Sequence, residues 1–213
     1  MMPRPSRVVP RRRLLGQVAG LAALAWAGPL AAATPDEAGA FMLKLAGQAI
    51  AMLRDKQITE QQREAVFHKL LSDSFDIDAI SRFVVGRHYQ KMTGEQQVEY
   101  RQLFSAFLIK TYARRRSGYS GETFSVVSSR PVDEQQVLVR SRIERPGGPP
   151  LDLDWRLRPD GDRFRVVDLT VEGVSMAVAQ RQDFSAVITG NGVGGLLAAL
   201  RARADHLPAT ASR

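Results

Sequence analysis

Apolar residues recur at three- and four-residue intervals through the first half of the chain, the period of one face of an α-helix. Residues 35–54 place Phe41, Met42, Leu45, Ala46, Ala49, Ile50 and Leu53 on such a face. Thr59 with Gln62 three residues later makes a capping box, in which each side chain satisfies the other's free backbone N–H. The helix it opens should bury Val66, Phe67, Leu70 and Leu71. Residues 75–86 form a shorter helix stopped by Gly86. Thr93 with Gln96 is a second capping box, and the helix after it carries Val98, Tyr100, Leu103, Phe104, Phe107, Leu108 and Thr111. That helix should run into Arg114, Arg115 and Arg116.

From Phe124 the period changes to two. Val137, Val139, Ser141 and Ile143 share one strand face. In "LDLDWRLR", Leu151, Leu153, Trp155 and Leu157 point one way, while Asp152, Asp154, Arg156 and Arg158 point the other. One dry and one wet face suit an antiparallel sheet covered on one side. Turns fall at 145–150 and 159–162, where Gly and Pro cluster. The last strand, "RFRVVDLTVEG", leads into a helix from about Ser175 that should bury Val178, Phe184, Val187 and Ile188. A final helix follows over 193–203, and residues 206–213 are expected to be a disordered tail. Helices grouped ahead of a strand meander predict an α+β fold, with helices packed on one face of a curved, mostly antiparallel sheet of about four strands. The pattern alone leaves open whether such a sandwich closes or keeps an apolar hollow.

Residues 1–33 carry five arginines and no acid, then an apolar run that ends in small residues. A basic start, a short apolar stretch and an Ala-rich end predict a secretory signal peptide, cleaved after Ala33. The apolar run is interrupted by Gln17, Gly28 and Pro29 and is short for a membrane span. "RRRLLG" also fits a twin-arginine signal loosely, so Sec and Tat export both stand. Five of the eight net positive charges leave with the leader, so a mature chain of 180 residues carries +3. This removes most of the case for a nucleic-acid partner. With no cysteine, there can be no disulfide, thiol nucleophile, cysteine metal site or lipidated cysteine. The expected product is a soluble periplasmic protein, not an integral membrane protein after cleavage.

Candidate chemistry is thin. His68, His88 and His206 have no second ligand at metal-binding spacing. "GYSGE" misses the nucleophile elbow by one position and follows a helix rather than a strand. "GNGVGG" meets the glycine pattern of a dinucleotide loop, but no strand leads into it. Asp152 and Asp154 alternate with Arg156 and Arg158, a pattern of cross-strand charge pairing. Asp168 lies on a neighbouring strand as the remaining acid–base candidate. No catalytic residue, cofactor or metal is expected.

The stretch from "DWRLR" through "VEGVSM" (171–176) to "QRQDFSAVI" (180–188) resembles the MlaC family of periplasmic phospholipid shuttles, the toluene-tolerance auxiliary components of an ABC transporter. "RFVVGRHY", "LIKTYARR", "PGGPPLDLDWRL" and "GVGGLLAALR" match it in order, so the resemblance spans nearly all of 34–205. It implies a nuclear-transport-factor-like sheet wrapped by helices around a deep apolar cavity that holds the acyl chains of a glycerophospholipid. It also implies two partners: an inner-membrane MCE-domain ABC transporter complex and an outer-membrane lipoprotein–porin complex. Shuttling lipid between them would maintain outer-membrane asymmetry. Asp152 departs from the family, which often has a second basic residue there.

On this reading the cavity walls are Val139, Trp155, Leu157, Val167 and Leu169 from the sheet, with Phe83, Val84, Phe104, Phe107, Leu108 and Tyr112 from the helices. Tyr112 and Val174 match family positions at the lipid cavity. Arg114, Arg115 and Arg116 are expected either to complement the helix dipole or to form a charged rim for headgroup or partner. Two alternatives stand beside this reading: another apolar cargo such as a hopanoid, and a small hydrolase using Asp168.

Overall fold

A computed structural model describes residues 34–113 and 119–205, with the backbone alone at 112, 113 and 205. The expected leader, the arginine triplet and the C-terminal tail lie outside the described residues. Helices come first: α1 (Pro35–Arg54), α2 (Glu60–Ser74), α3 (Ile77–Val85), a 3-10 helix (Gly86–Lys91) and α4 (Gly94–Ala113). Strands follow: β1 (Thr123–Asp133), β2 (Gln136–Glu144), β3 (Leu151–Asp160), β4 (Arg163–Val171) and β5 (Val174–Ser175), before α5 (Met176–Asp205). The strands pair antiparallel in sequence order. The α+β class is therefore as the periodicities imply, with a fifth strand of two residues added at one edge.

Both anticipated capping boxes form. Thr59 accepts from Gln62 N while Gln62 accepts from Thr59 N, and Thr93 and Gln96 do the same at α4. Thr34 and Glu37 build a third at α1. The helix expected over 75–86 starts later. Phe75 is extended and bridges in parallel to Val166 on the open side of β4, and Asp76 N donates to Val166 O at 2.9 Å. The Asp76 side chain then caps α3 by accepting from Ala79 N at 3.0 Å. A short piece of chain thus covers an edge that would otherwise present free backbone groups. Gly192 breaks α5 with φ 67° and ψ −177°, so it runs as two helices, as the sequence implies.

Buried side chains gather into two clusters. The sheet-side core joins Met42 and Leu45 of α1 to Val137, Val139, Leu157, Phe164 and Val166. Gly39 lets α1 lie close to β1, since a Cβ there would stand 3.0 Å from Ser129 Oγ. The helical core joins Val84 and Val85 of α3, Tyr100, Phe104 and Phe107 of α4, and Phe184, Ile188, Leu196 and Leu200 of α5. By length and composition alone α5 is apolar enough to cross a membrane, yet these four residues of it are packed within the helical core.

Several expectations need correction. Leu53, Val66, Val98 and Val178 were expected on buried faces, yet all four are exposed. Leu53, Val66 and Val178 lie beside the packed stripe of their helices, which is narrower than the apolar one, and Val98 lies across α4 from Tyr100, Phe104 and Phe107. In β4 the alternation slips: Leu157 pairs with Val166 and Arg156 with Asp168, leaving Val167 as the extra residue of a bulge. Val166 therefore fills the sheet-side core, and the phase resumes at Leu169 opposite Trp155.

Candidate functional site

Between the two cores runs a cleft of about 320 Å³, lined by His68, Leu71 and Ser72 of α2, Phe75 to Asp78, Ser105 of α4 and Arg165 of β4. It opens along α4 into a groove of about 570 Å³ over Arg101, Gln102, Ala106 and Ile109. Its floor touches both cores: Phe75 packs on the sheet-side cluster and Ile77 on the helical one.

The junction between α2 and α3 forms one wall, and two arginines of the sheet pin it. Arg165 Nη1 donates to Ser72 O at 3.0 Å and to Phe75 O at 3.3 Å, satisfying carbonyls that the end of α2 leaves free. Its Nε holds Asp160 Oδ2 at 2.6 Å, and that bond keeps the Asp160 carboxyl below its ordinary range. Arg158 pairs with Asp76, which is buried. Asp76 is thus cap, strand partner and ion-pair partner at once.

The proposed wall residues divide between the two cores. Val84, Phe104 and Phe107 are buried in the helical core, with Leu108 half-buried against it. Val139 and Leu157 are buried in the sheet-side core, with Trp155 half-buried against it and its Nε1 donating to Ser141 Oγ at 2.9 Å. Val167 and Leu169 are half-buried on β4. Phe83 and Val174 lie at the surface, 44% and 55% exposed, and the Arg181 guanidinium stacks on the Phe83 ring at 5.1 Å. The Tyr112 side chain and Arg114, Arg115 and Arg116 lie outside the described residues.

Charged groups of β2 and β3 pair across the strands. Arg140 grips Asp154 and Arg142 grips Asp152, each through two hydrogen bonds of 2.7–3.1 Å, between residues opposite one another in the register. The pairing of Asp152 and Asp154 is therefore across strands, with both partners on β2. The Arg142 bond holds the Asp152 carboxyl below its ordinary range. Asp168 accepts from Leu169 N, Ala177 N and Ser175 Oγ at 2.6–3.2 Å. It anchors β4 to the start of α5, which accounts for an acid at that position without acid–base chemistry. The link depends on a tight turn at Glu172 and Gly173, both with positive φ, the geometry of a type I′ hairpin. Among the described residues, no three His, Asp or Glu side chains group as a metal site.

Sequence reasoning missed the cleft itself. None of His68, Asp78, Arg101, Ser105, Ala106 or Ile109 stood among the expected walls. A signal was present: Arg101, Ser105 and Ile109 repeat every four residues along α4, beside the stripe that packs the helical core. Its mixed polarity reads as a wet helix face until α2 is placed across it.

Residues 44–202 match the family model described as MlaC protein. The fold also matches the solved structure of a phospholipid-binding protein from Ralstonia solanacearum in complex with a phospholipid. The TM-score is 0.71 at 24% sequence identity, covering 79% of this chain and 97% of that one.

Proposed function

The chain belongs to the MlaC family, and on that premise we propose that it is a periplasmic carrier that holds a glycerophospholipid and shuttles it between the outer and inner membranes. The observation that carries this reading is the division of the interior into two cores with a cleft on the seam. A protein that only needs stability gains from one continuous core; a seam between two gives a place where apolar walls can part.

Size sets the next step. Each acyl methylene removed from water is worth about 0.8 kcal/mol, so seating both chains of a lipid supplies a large driving force. A cleft of about 320 Å³ is near the lower limit for pockets that enclose even drug-sized molecules, roughly 300–1,000 Å³. Two acyl chains therefore require the helical layer to move away from the sheet, with Leu108 on one side and Trp155 on the other becoming lipid contacts. Of the walls expected from sequence, Val84, Phe104, Phe107, Val139, Leu157 and Leu169 would join them as the seam opens, while Tyr112 would sit near the end of α4. The arginines at 114–116 form the charged rim toward headgroup or partner in this account. Export by a Sec or Tat signal over 1–33, an inner-membrane MCE-domain ABC transporter and an outer-membrane lipoprotein–porin complex belong to the same proposal. The job is binding and transfer, without catalysis.

Vesicle-to-vesicle transfer tests the carrier role. The protein should accelerate movement of labelled phospholipid from donor to acceptor vesicles in proportion to its concentration. Ala106→Trp, which fills the groove from its half-buried position on α4, should remove most of that acceleration while leaving the thermal midpoint within a few degrees. No acceleration by the wild type would defeat the carrier reading, and full activity of Ala106→Trp would move the site elsewhere.

A further inference from the structure

The cleft has an apolar floor and a polar rim, and not all of the rim is engaged. Asp76 is committed to the α3 cap and Arg158. Arg165 is committed to Asp160 and the carbonyls that end α2. What remains at the mouth is His68, Asp78, Arg101, Gln102 and Ser105. The closest ionic approach among them is Arg101 Nη1 to Asp78 Oδ1 at 4.0 Å, with side chains 37% and 62% exposed. An open pair at that separation contributes little to stability. It does set one cation and one anion side by side over the opening of an apolar cleft.

A ligand that matches this arrangement has an apolar body, an anionic group and a cationic group a few bonds beyond it. We propose that the rim is a headgroup site for a phospholipid whose phosphodiester is followed by a primary ammonium. The Arg101 guanidinium, with the Ser105 hydroxyl one turn along the same face of α4, takes the phosphodiester. The Asp78 carboxylate takes the ammonium. Arginine suits phosphate because its planar fork donates two parallel hydrogen bonds. A carboxylate suits a primary ammonium over a neutral glycerol because only the ammonium brings opposite charge and three donors. This inference rests on the carrier reading and adds selectivity to it.

Headgroup competition tests it. The protein is loaded from vesicles containing equal phosphatidylethanolamine and phosphatidylglycerol, and the bound lipids are extracted and counted by mass spectrometry. The wild type should enrich the ethanolamine lipid by about two- to fivefold, the scale of one partly exposed charge pair. Asp78→Asn should return the ratio to that of the vesicles, and Asp78→Lys should turn it toward the glycerol lipid. Arg101→Gln should lower loading of both. An added equimolar amount of glycerophosphoethanolamine, which has the headgroup charges without chains, should displace no lipid; displacement would assign the rim to a soluble ligand and overturn the proposal. Wild-type loading at the vesicle ratio, or enrichment that survives Asp78→Asn, would overturn the headgroup assignment and leave the carrier reading standing. Failure to load either lipid would overturn both.

Discussion

Tyr100 carries a hydroxyl into the middle of the helical core, where it is fully buried among Tyr89, Phe104 and Phe184 and donates to Ser81 O at 2.9 Å. Burial pushes its pKa well above the ordinary tyrosine value, so the neutral donor is the form that folds. Tyr100→Phe should lower stability by about 1 kcal/mol in urea denaturation, the net contribution of one such bond. The sign of the pH effect follows from a raised folded pKa: the contribution is fully present below the unfolded value of about 10 and fades as pH rises beyond it. The difference between variant and wild type should therefore stay constant from pH 5 to 9; a difference that changes inside that range would mean the phenol ionises in the folded protein. The buried position of Tyr100 was legible from the α4 periodicity, because spacing alone decides which face is apolar. Its partner was not, since Ser81 lies nineteen residues away on a helix whose placement no local pattern encodes. The same limit explains Val66, Val98 and Val178, whose apolar type suits a buried face although each is 42–47% exposed.

At the scale of elements, the α2–α3 junction holds the helical layer to the sheet. Asp76 serves three contacts there, and Asp76→Ala removes a helix cap and leaves Arg158 without its partner. The expected loss is about 2–4 kcal/mol, measured as a shift in the denaturation midpoint. Amide exchange should rise at residues 72–80 more than in the β1–β3 sheet; uniform acceleration across the chain would contradict a local role for this junction. Here the sequence was legible where a rule is local. Capping boxes at Thr59 and Thr93, the break near Gly192 and the alternation of β3 all depend on neighbours within a few residues. The bulge at Val167 and the two-residue β5 were not legible. A bulge depends on how β4 must bend to pair with both its partner and the Phe75 bridge, and β5 exists only because the Glu172–Gly173 turn folds the chain back on Val171.

Across the whole molecule, the two apolar periodicities of the sequence form two cores rather than one. The helical stripes of α3, α4 and α5 find one another, while α1 and part of α2 take the sheet. The resemblance to the MlaC family pointed to a space between layers, and most of the walls it implied lie in the two cores rather than along the cleft. It did not identify the polar mouth, because the mixed stripe of α4 carries no apolar signal. On this account the seam is the functional part of the fold, and a molecule that opens there to take two acyl chains must be isolated with cargo or be ready to accept it. Native mass spectrometry of the protein purified from a bacterial host measures this directly. The account predicts a mass increment of one diacyl glycerophospholipid per chain, regained after delipidation by incubation with phospholipid vesicles. A chain that is lipid-free as purified and stays lipid-free after that incubation, or one that carries a triterpenoid instead, would contradict it.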